Sequence, residues 1–307
     1  LSYKKRGIFL FDIADLLKKN SNEFAKYESI DNGKPLSLSK KLDIPRAIDN
    51  LRFFASIINS NESNAYHMEN IGINYTLKQP IGIVGTISPW NLPLYLFTWK
   101  IAPALVAGNC VIAKPSEITP STSSLIQEMF KEFYDETEAA VFIGDPDIGA
   151  AFSKLPFDHM IFTGGTEIGK HVMRAASDNL VPLTLELGGK SPVIVGESAD
   201  ISKVAQRVMI GKTMNSGQIC LSPDYALIPK DKINKFVEES KIVVESMFPK
   251  IKDNGDYTSI INQKHYERIQ GYLEDAKSKG AELIEINPSN EDFSKQENHK
   301  IHPTLVL

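Results

Sequence analysis

The chain has 307 residues, of which 42% are hydrophobic and 23% are charged, an ordinary composition for a globular protein. Its formal net charge of −4 provides no basic surface for nucleic acid, and its two cysteines cannot form a disulfide framework. The six histidines are scattered without the spacing of a metal site, and no apolar run reaches the roughly 18 residues of a membrane-spanning helix. We therefore expect about two domains and no nucleic-acid, metal or membrane partner.

The amino-terminal part of the chain carries two predicted helices. Apolar residues at helical spacing predict one helix over residues 7–29, and another over residues 41–58 follows the turn signal Asn-Gly-Lys-Pro of residues 32–35. Around residues 71–77 apolar and polar positions alternate, which is typical of a half-buried strand. The apolar run of residues 81–87 is typical of a strand buried in a parallel sheet.

Strands and helices then alternate as far as residue 187. The predicted strands are residues 111–113, 139–143, 160–162 and 182–185, and the predicted helices are residues 93–107, 121–133, 147–155 and 169–177. This alternation predicts an α/β fold with a doubly wound parallel sheet.

After Gly188 a second α/β unit begins. Its predicted strands are residues 192–195, 225–228 and 282–286, and its predicted helices are residues 200–217, 231–247 and 262–279. A polar stretch, residues 287–300, is predicted to be a surface loop. The chain begins at Leu1 rather than Met and ends in an apolar, strand-like run, so we interpret it as a fragment with an incomplete second unit.

Cys220 is the leading candidate for a chemical role. It closes the stretch Asn-Ser-Gly-Gln-Ile-Cys, and a lone thiol flanked by small and amide residues can act as a nucleophile. Glu186, near the end of an apolar run and ahead of two glycines, is a candidate general base. The pair favours covalent catalysis through a thioester followed by hydrolysis, against the alternative of an inert buried cysteine. Cys110 starts a predicted buried strand and is interpreted as structural.

A glycine-rich turn joins a predicted strand to a predicted helix. Gly164, Gly165 and Gly169 there would let the backbone approach a phosphate, and the helix N-terminus favours an anion. The spacing differs from the usual dinucleotide fingerprint, and it departs from the phosphate-binding loop of nucleoside triphosphatases at His171, where Ser or Thr is needed. A triphosphatase site and a plain structural turn therefore stay open as alternatives.

Two other predicted strands end in polar residues. Asn91 follows one of them, where its amide can donate to an oxyanion at the carboxyl edge of a sheet, or else cap the next helix. Lys114 and Glu117 follow the next strand and can hold the hydroxyls of a ribose, or else form a solvated ion pair. Glu117 would repel a 2′-phosphate, so NAD is expected, with NADP as the alternative.

These segments, in this order, resemble the aldehyde dehydrogenase superfamily. The matching pieces are IGIVGTISPWNLPL, AGNCVIAKPSEITP, FTGGTEIGK, LELGGKSP and NSGQICLSPDY. The resemblance implies NAD(P)-dependent oxidation of a small aldehyde to a carboxylate, with Cys220 as nucleophile, Glu186 as base and Asn91 as the oxyanion-hole amide. The first half is similar to muconic-semialdehyde dehydrogenases, and the second half to the class-three and coniferyl-aldehyde branch.

The resemblance also implies the cofactor contacts. Lys114 and Glu117 match the adenosine-ribose contacts of the family. The other positions assigned to the cofactor are Gly164, Gly165, Gly169, Ile87, Trp90, Ile168 and Leu187. Gly165 stands where the family most often has Ser, which is a departure at one pyrophosphate contact.

The implied domains are residues 1–60 and 81–187 for NAD binding, residues 61–80 as oligomerisation strands, and residues 188–307 as a truncated catalytic domain. A homodimer or homotetramer is expected of the complete protein, and the cysteine usage favours a cytoplasmic location. The substrate funnel is expected to be largely apolar, which favours an aromatic or medium-chain aldehyde. The residues expected near it are Asn91, Leu94, Trp99, Ile219 and Leu221.

Two alternatives stay within the resemblance. A CoA-acylating aldehyde dehydrogenase passes its thioester to CoA and needs no glutamate base, so Glu186 argues against it. An inactive NAD-binding fragment is the other alternative, because the family's later Glu-Ile-Phe-Gly-Pro-like motif would follow Leu307.

Overall fold

The structure is a computed structural model that describes residues 2–60 and 63–307. The helices are α1 (Tyr3–Lys19), α2 (Ser21–Asn32), α3 (Leu36–Leu38), α4 (Ile44–Ile57), α5 (Pro93–Ala107), α6 (Pro120–Phe133), α7 (Pro146–Phe152), α8 (Thr166–Ser177), α9 (Ile201–Thr213), α10 (Ile233–Met247) and α11 (Gln263–Ser278). The strands are β1 (Ala65–Met68), β2 (Gly72–Tyr75), β3 (Ile83–Ile87), β4 (Cys110–Lys114), β5 (Ala139–Val141), β6 (His159–Gly164), β7 (Leu183–Leu187), β8 (Pro192–Ile194), β9 (Tyr225–Leu227), β10 (Leu283–Glu285) and β11 (Thr304–Val306). A π-helical turn covers Ser39–Asp43, and 3-10 turns cover Ile58–Ser60, Met214–Gly217 and Lys230–Lys232.

The chain folds into two compact units. The first unit comprises the residues up to Asp31 together with Ser39–Leu187, and the second comprises Asn32–Leu38 together with Gly188–Leu307. The segment Asn32–Leu38, called the crossing segment below, thus belongs to the second unit although the first unit flanks it on both sides. The sequence analysis kept it within residues 1–60, because its contacts are distant in sequence and leave no local pattern.

A parallel sheet forms the centre of the first unit. Among the described residues it has five strands in the order β5-β4-β3-β6-β7. The chain runs outward from β3 to β5 and then returns to β6 on the other side of β3, so the strand order reverses between β3 and β6. A crevice forms at the carboxyl ends of strands where the order reverses in this way. The predicted doubly wound α/β fold is confirmed.

Two apolar clusters pack on the sheet of the first unit. One joins Val84 and Val111 of the strands to residues of α1, α4, α5 and α6, and the other joins Met160 and Phe162 to residues of α7 and α8. Residues of β6 alternate between the clusters, since Ile161 packs on the first while its neighbours lie in the second. Strands covered on both faces read as continuous apolar runs, which is why the sequence predicts them well.

The second unit is a mixed α/β structure. Strand β8 pairs parallel with β9, and β10 pairs antiparallel with β11. Its buried cluster joins residues of α9 and α10 to Val195 and Ile286. The predicted second α/β unit is therefore confirmed.

Two predicted helices are interrupted in the structure. The helix predicted over residues 7–29 ends at the C-cap Asn20 and restarts as α2, whose Phe24 and Ala25 continue the apolar pattern. The helix predicted over residues 200–217 ends at Thr213, because Met214 leaves the helical conformation and Asn215 and Ser216 adopt left-handed backbone angles.

The strand predicted around residues 71–77 is present as β2, but its predicted half-burial is wrong. Strands β1 and β2 form an antiparallel hairpin that is exposed on both faces, including the side chains of Ile71 and Ile73. Residues 61 and 62 of the predicted oligomerisation strands lie outside the described residues. No helix in the described part of the chain is long and apolar enough to cross a membrane.

Candidate active site

The carboxyl edge of the five-stranded sheet gathers most of the polar residues singled out from the sequence. Lys114 and Gly164 are the last residues of β4 and β6, Glu186 is the penultimate residue of β7, and Asn91 follows β3. The register pairs Ile87 with Lys114, and Thr163 with Glu186, so these strand ends are level. Because parallel strands end at the same edge, the fold brings these residues to one side of the first unit.

Asn91 does not cap the helix that follows it. The N-cap of α5 is Leu92, and the Asn91 Oδ1 atom accepts the Leu92 N–H at 3.1 Å. The capping alternative is therefore wrong. The Asn91 side chain is half-buried, and its Nδ2 group is a donor of the kind that an oxyanion hole uses, so that role stays a prediction. Ile87 and Trp90, just before it, are also half-buried.

Lys114 and Glu117 form a partly buried pair. The Lys114 Nζ donates to Glu117 Oε2 at 3.2 Å and to the Pro115 carbonyl at 3.3 Å, and the lysine side chain is buried. The alternative of a fully solvated ion pair is therefore wrong, because the Lys114 side chain is buried. Glu117 keeps about a third of its side chain accessible, with 37% exposed, so its carboxylate can meet a ligand.

The glycine turn leaves the start of α8 open. A Cβ atom on Gly165, the N-cap residue, would meet no atom within 4 Å. By contrast, a Cβ on Gly164 would lie 2.6 Å from the Phe162 ring, and one on Gly169 would lie 2.7 Å from Leu187 Cδ2. These two glycines are needed for packing, whereas Gly165 leaves room for an anion to reach the first N–H groups of the helix.

The remaining residues assigned to the cofactor differ in exposure. Ile168, in the first turn of α8, is exposed, whereas Leu187, the last residue of β7, is half-buried. Both positions belong to the elements that form the carboxyl edge. Their roles stay predictions.

Lys100 is a buried residue, within electrostatic range of Glu186, that the sequence analysis did not assign to the site. It lies in α5, is 2% exposed, and donates from Nζ to the Leu96 carbonyl at 3.0 Å. Burial lowers the pKa of Lys100 to about 7, and the charge of Glu186 opposes that shift. A lysine with this pKa exchanges protons near neutrality. The sequence signal was present, since Lys100 interrupts an otherwise apolar helix, but it does not reveal Glu186 as a neighbour.

Cys220 lies in the second unit as an exposed free thiol. Its loop begins with consecutive left-handed residues, Asn215, Ser216 and Gly217, at φ values of 50°, 50° and 75°. Only glycine adopts that region without strain, so the loop is held in place by contacts elsewhere. The exposure of Cys220 contradicts the alternative of a buried cysteine, whereas Cys110 is half-buried at the start of β4.

Charged residues lie near the loop that carries Cys220. The Lys190 Nζ contacts Asp224 Oδ2 at 2.6 Å, and the Asp224 N–H donates to the Ser191 carbonyl at 3.0 Å. Burial lowers the pKa of Lys212, with the charge of Asp224 opposing the shift. A Cβ on Gly217 would lie 3.3 Å from Lys212 Cε, so the lysine stem packs under the left-handed turn.

The predicted funnel residues divide into two groups. Leu94 is fully buried in the core of the first unit, so its assignment to the funnel is wrong. Trp99 and Leu221 are exposed, and Ile219 is half-buried. Since Cys220 and Glu186 belong to different units, their joint arrangement with Asn91 stays a prediction.

Comparison with known proteins identifies the family. The sequence profile of the Aldehyde dehydrogenase family matches residues 1–307. The chain therefore belongs to the aldehyde dehydrogenase family, and the resemblance drawn from its motifs is confirmed. Membership of this family argues against the triphosphatase alternative for the glycine turn.

Relatives come from both expected branches. The coniferyl aldehyde dehydrogenase of Pseudomonas sp. (strain HR199) is 54% identical over 229 residues, which is 75% of this chain and 48% of that protein. The human 2-aminomuconic semialdehyde dehydrogenase is 35% identical over 290 residues, which is 92% of this chain and 59% of that protein. The NAD+ complex of the Bacillus cereus aldehyde dehydrogenase superposes with a TM-score of 0.90 at 28% identity, covering 100% of this chain and 62% of that one. The chain spans about half the length of the coniferyl aldehyde relatives it matches.

Proposed function

We propose that the complete protein oxidises an aldehyde to a carboxylate with NAD as the hydride acceptor. The observation that carries this proposal is the gathering of Asn91, Glu186 and the open start of α8 at one edge of the sheet. In this proposal the first unit binds the cofactor and the second unit supplies the nucleophile Cys220. The NAD+ complex of the related Bacillus cereus enzyme supports the choice of cofactor.

The chemistry begins at the Cys220 sulfur. Its thiolate attacks the carbonyl carbon, and the oxyanion that forms accepts hydrogen bonds from the Asn91 Nδ2 group and the Cys220 N–H. A bound NAD would supply the hydride acceptor at this site, and loss of hydride from the carbon held by Cys220 would leave a thioester on the cysteine. Glu186 then takes a proton from water as that water attacks the thioester, and the carboxylate is released.

Lys100 has a role beside Glu186 in this proposal. The neutral form of Lys100, favoured by its pKa of about 7, accepts the proton that Glu186 took from water and then releases it to solvent. The exposed position of Glu186 at the end of β7 lets it meet water, while the lysine stays buried in α5. The glutamate thus returns to its basic form between turnovers.

The residues near the edge also fit the cofactor. The open N-terminus of α8 suits a pyrophosphate, and the Lys114–Glu117 pair suits ribose hydroxyls. The carboxylate of Glu117 is unfavourable for a 2′-phosphate, so NAD is preferred over NADP.

An aromatic aldehyde is the proposed substrate class. The identity to coniferyl aldehyde dehydrogenase supports it, together with the exposed apolar side chains of Trp99 and Leu221. The apolar side chains exposed on the β1–β2 hairpin support self-association into a homodimer or homotetramer. A cytoplasmic location stays a prediction from cysteine usage.

The direct test is NADH formation by the complete gene product, with a panel of aromatic, aliphatic and semialdehyde substrates. We expect turnover that is highest with aromatic aldehydes and is lost in Cys220→Ala. NADH formation retained in Cys220→Ala would refute the assignment of the nucleophile. Turnover that appears only after CoA is added would favour the acylating alternative, and no turnover with any aldehyde would favour a non-catalytic NAD-binding protein.

A further inference from the structure

The loop that carries Cys220 is fixed by side chains rather than by regular structure. This cysteine loop, residues 214–222, is bound to a second segment, residues 256–261, which we call the platform segment. The Gln218 Nε2 group donates to the Asn215 carbonyl at 3.1 Å and to the Ser259 carbonyl at 3.0 Å. The Gln218 Oε1 atom accepts the Ile261 N–H at 3.0 Å. One amide therefore ties the left-handed turn to two points of the platform segment.

A second bond acts in parallel with Gln218. The Ser216 Oγ donates to the Thr258 carbonyl at 2.5 Å. Ser216 has φ of 50°, a conformation unfavourable for serine, and this bond opposes its relaxation. The cysteine loop is thus held against its own backbone preference.

The platform segment is itself rigidly placed. Tyr257, Thr258 and Ile260 are each buried. The Tyr257 hydroxyl donates to the Ile301 carbonyl at 2.8 Å, and the Ile260 N–H donates to the His299 carbonyl at 3.0 Å. A buried segment with satisfied hydrogen bonds moves little, so it can serve as a reference for the loop.

The crossing segment supports the platform segment from another direction. The Ser259 N–H donates to the Gly33 carbonyl at 3.0 Å, and the Ser37 Oγ donates to Asp256 Oδ1 at 2.9 Å. Gly33 has φ of +70°, and a Cβ atom there would lie 2.9 Å from Ser259 Cβ. Glycine is therefore required at position 33 both by its backbone angle and by its contact with the platform segment.

We propose that Gln218 is a positioning residue for Cys220, and that Gly33 supports it through the platform segment. The proposal rests on the proposed function, in which the Cys220 N–H donates to the oxyanion. The hydrogen bonds of Gln218 to Asn215, Ser259 and Ile261 are called the brace below. The Cys220 N–H lies only two residues beyond Gln218, so the brace fixes the direction of this donor as well as the position of the thiol. Without the brace, the strained turn relaxes and the donor no longer meets the oxyanion.

The test uses the complete gene product with Gln218→Met, which keeps the side-chain length but removes the amide. Gln296→Met is the matched control, because Gln296 also donates to a backbone carbonyl, that of Lys300 at 2.7 Å, and accepts the Lys300 N–H at 2.8 Å. Three quantities are measured: amide hydrogen exchange of residues 214–222, the rate of Cys220 alkylation by iodoacetamide, and NADH formation from the best aldehyde.

We expect Gln218→Met to raise amide exchange in the cysteine loop by about tenfold or more, with exchange in α9 and α10 unchanged. Alkylation needs no oxyanion donor, so its rate should change by no more than about twofold, whereas kcat should fall by roughly 10²-fold with little change in KM. Gln296→Met should leave the loop exchange and kcat near the wild-type values.

Unchanged exchange in residues 214–222 of Gln218→Met would overturn the proposal. A parallel loss of alkylation and kcat would also overturn it, since that result indicates general collapse of the loop. The exchange measurement does not depend on dehydrogenase activity. A wild-type protein that oxidises no aldehyde would therefore refute the proposed function and leave the brace to be judged by exchange alone.

Two further variants sharpen the test. Gln218→Glu keeps the shape but places a carboxylate against the Asn215 and Ser259 carbonyls, so its kcat relative to wild type should recover as pH falls and the acid regains a proton to donate. Gly33→Ala should raise exchange in residues 256–261 and then in the cysteine loop. Normal loop exchange in a folded Gly33→Ala protein would remove the crossing segment from the proposal.

Discussion

The carboxyl edge of the sheet and the cysteine loop both position polar or reactive side chains, but by different physical means. At the edge, residues such as Lys114 and Glu186 take their places because regular strands end there in register. In the loop, Cys220 follows residues that leave regular structure and depend on side-chain bonds such as those of Gln218. The first arrangement tolerates change in individual contacts, whereas the second depends on a few of them.

Removal of the proposed base should give the largest effect and tests the chemistry of the edge. We expect Glu186→Gln to lower steady-state turnover by roughly 10²–10⁴-fold. The first turnover should still release NADH as a burst, because the base is needed only to hydrolyse the thioester. Glu128→Gln, a change at an exposed glutamate of α6, serves as the control. Unchanged turnover in Glu186→Gln would mean that another group activates the water.

Replacement of the buried Lys100 should increase the stability of the protein, because burial of its ammonium group is unfavourable. The pKa of Lys100 is about 7 in the folded protein and 10.5 in the unfolded chain, so between these values the unfolded state binds more protons and wild-type stability rises with pH. Lys100→Met removes that penalty and should raise the free energy of unfolding by about 1–4 kcal/mol at pH 6. The gain should shrink as pH approaches 10, and chemical unfolding at both pH values measures it.

The control for this pH dependence is Lys235→Met, at an exposed lysine of α10. It should change stability little, and equally at both pH values. A gain in Lys100→Met that does not vary with pH would contradict the lowered pKa. Lower turnover in the same variant would support its proposed role beside Glu186.

Gly85, in the central strand β3, tests how much close packing contributes to the stability of the sheet. A Cβ on Gly85 of β3 would lie 2.6 Å from the Phe157 ring, so Gly85→Ala should lower the free energy of unfolding by about 1–3 kcal/mol. Gly196→Ala is the control, since nothing lies within 4 Å of its Cβ position. Thermal unfolding measures both. Equal melting temperatures for the two variants would show that the sheet adapts more easily than its packing indicates.

The smallest effects are expected at two residues with left-handed backbone angles, Leu180 and Ser216, of which only Ser216 belongs to the cysteine loop. Leu180 in the first unit is left-handed at φ 56° and 88% exposed, so Leu180→Gly should stabilise the protein by about 0.5 kcal/mol without changing activity. Ser216→Gly relieves similar strain but loses the bond to Thr258, so it should give no gain in stability and lower kcat. The melting temperature and the turnover of both variants are measured. A stabilised and fully active Ser216→Gly protein would contradict a role for the hydrogen bond to Thr258.

The sequence predicts the edge far better than the loop, and the reason is periodicity. Buried strands such as β3 and β4 leave apolar runs that can be read locally, and the polar residues after them mark the site. Periodicity does not reveal every break, since the apolar pattern continues past Asn20, where α1 ends and α2 begins. Periodicity also does not predict burial in the β1–β2 hairpin, since alternation does not reveal whether another layer of the protein covers either face.

The remaining features depend on distant contacts. Nothing around Gln218 in the sequence indicates that its amide meets Ser259. Likewise, the electrostatic interaction between Lys100 and Glu186 is known only once α5 and β7 are folded. The helix predicted over residues 200–217 extends too far, because Asn215, Ser216 and Gly217 are poor helix formers and adopt left-handed backbone angles in the structure.

The crossing segment makes the second unit discontinuous along the gene. A protein engineered by cutting after Leu187 would separate Gly33 from Ser259, so the carboxy-terminal piece would lack part of its own fold. During synthesis on the ribosome, Asn32–Leu38 emerges long before the platform segment and must wait for its partner. Such contacts of high sequence separation slow folding, and they prevent this unit from being exchanged between proteins as a single stretch of DNA.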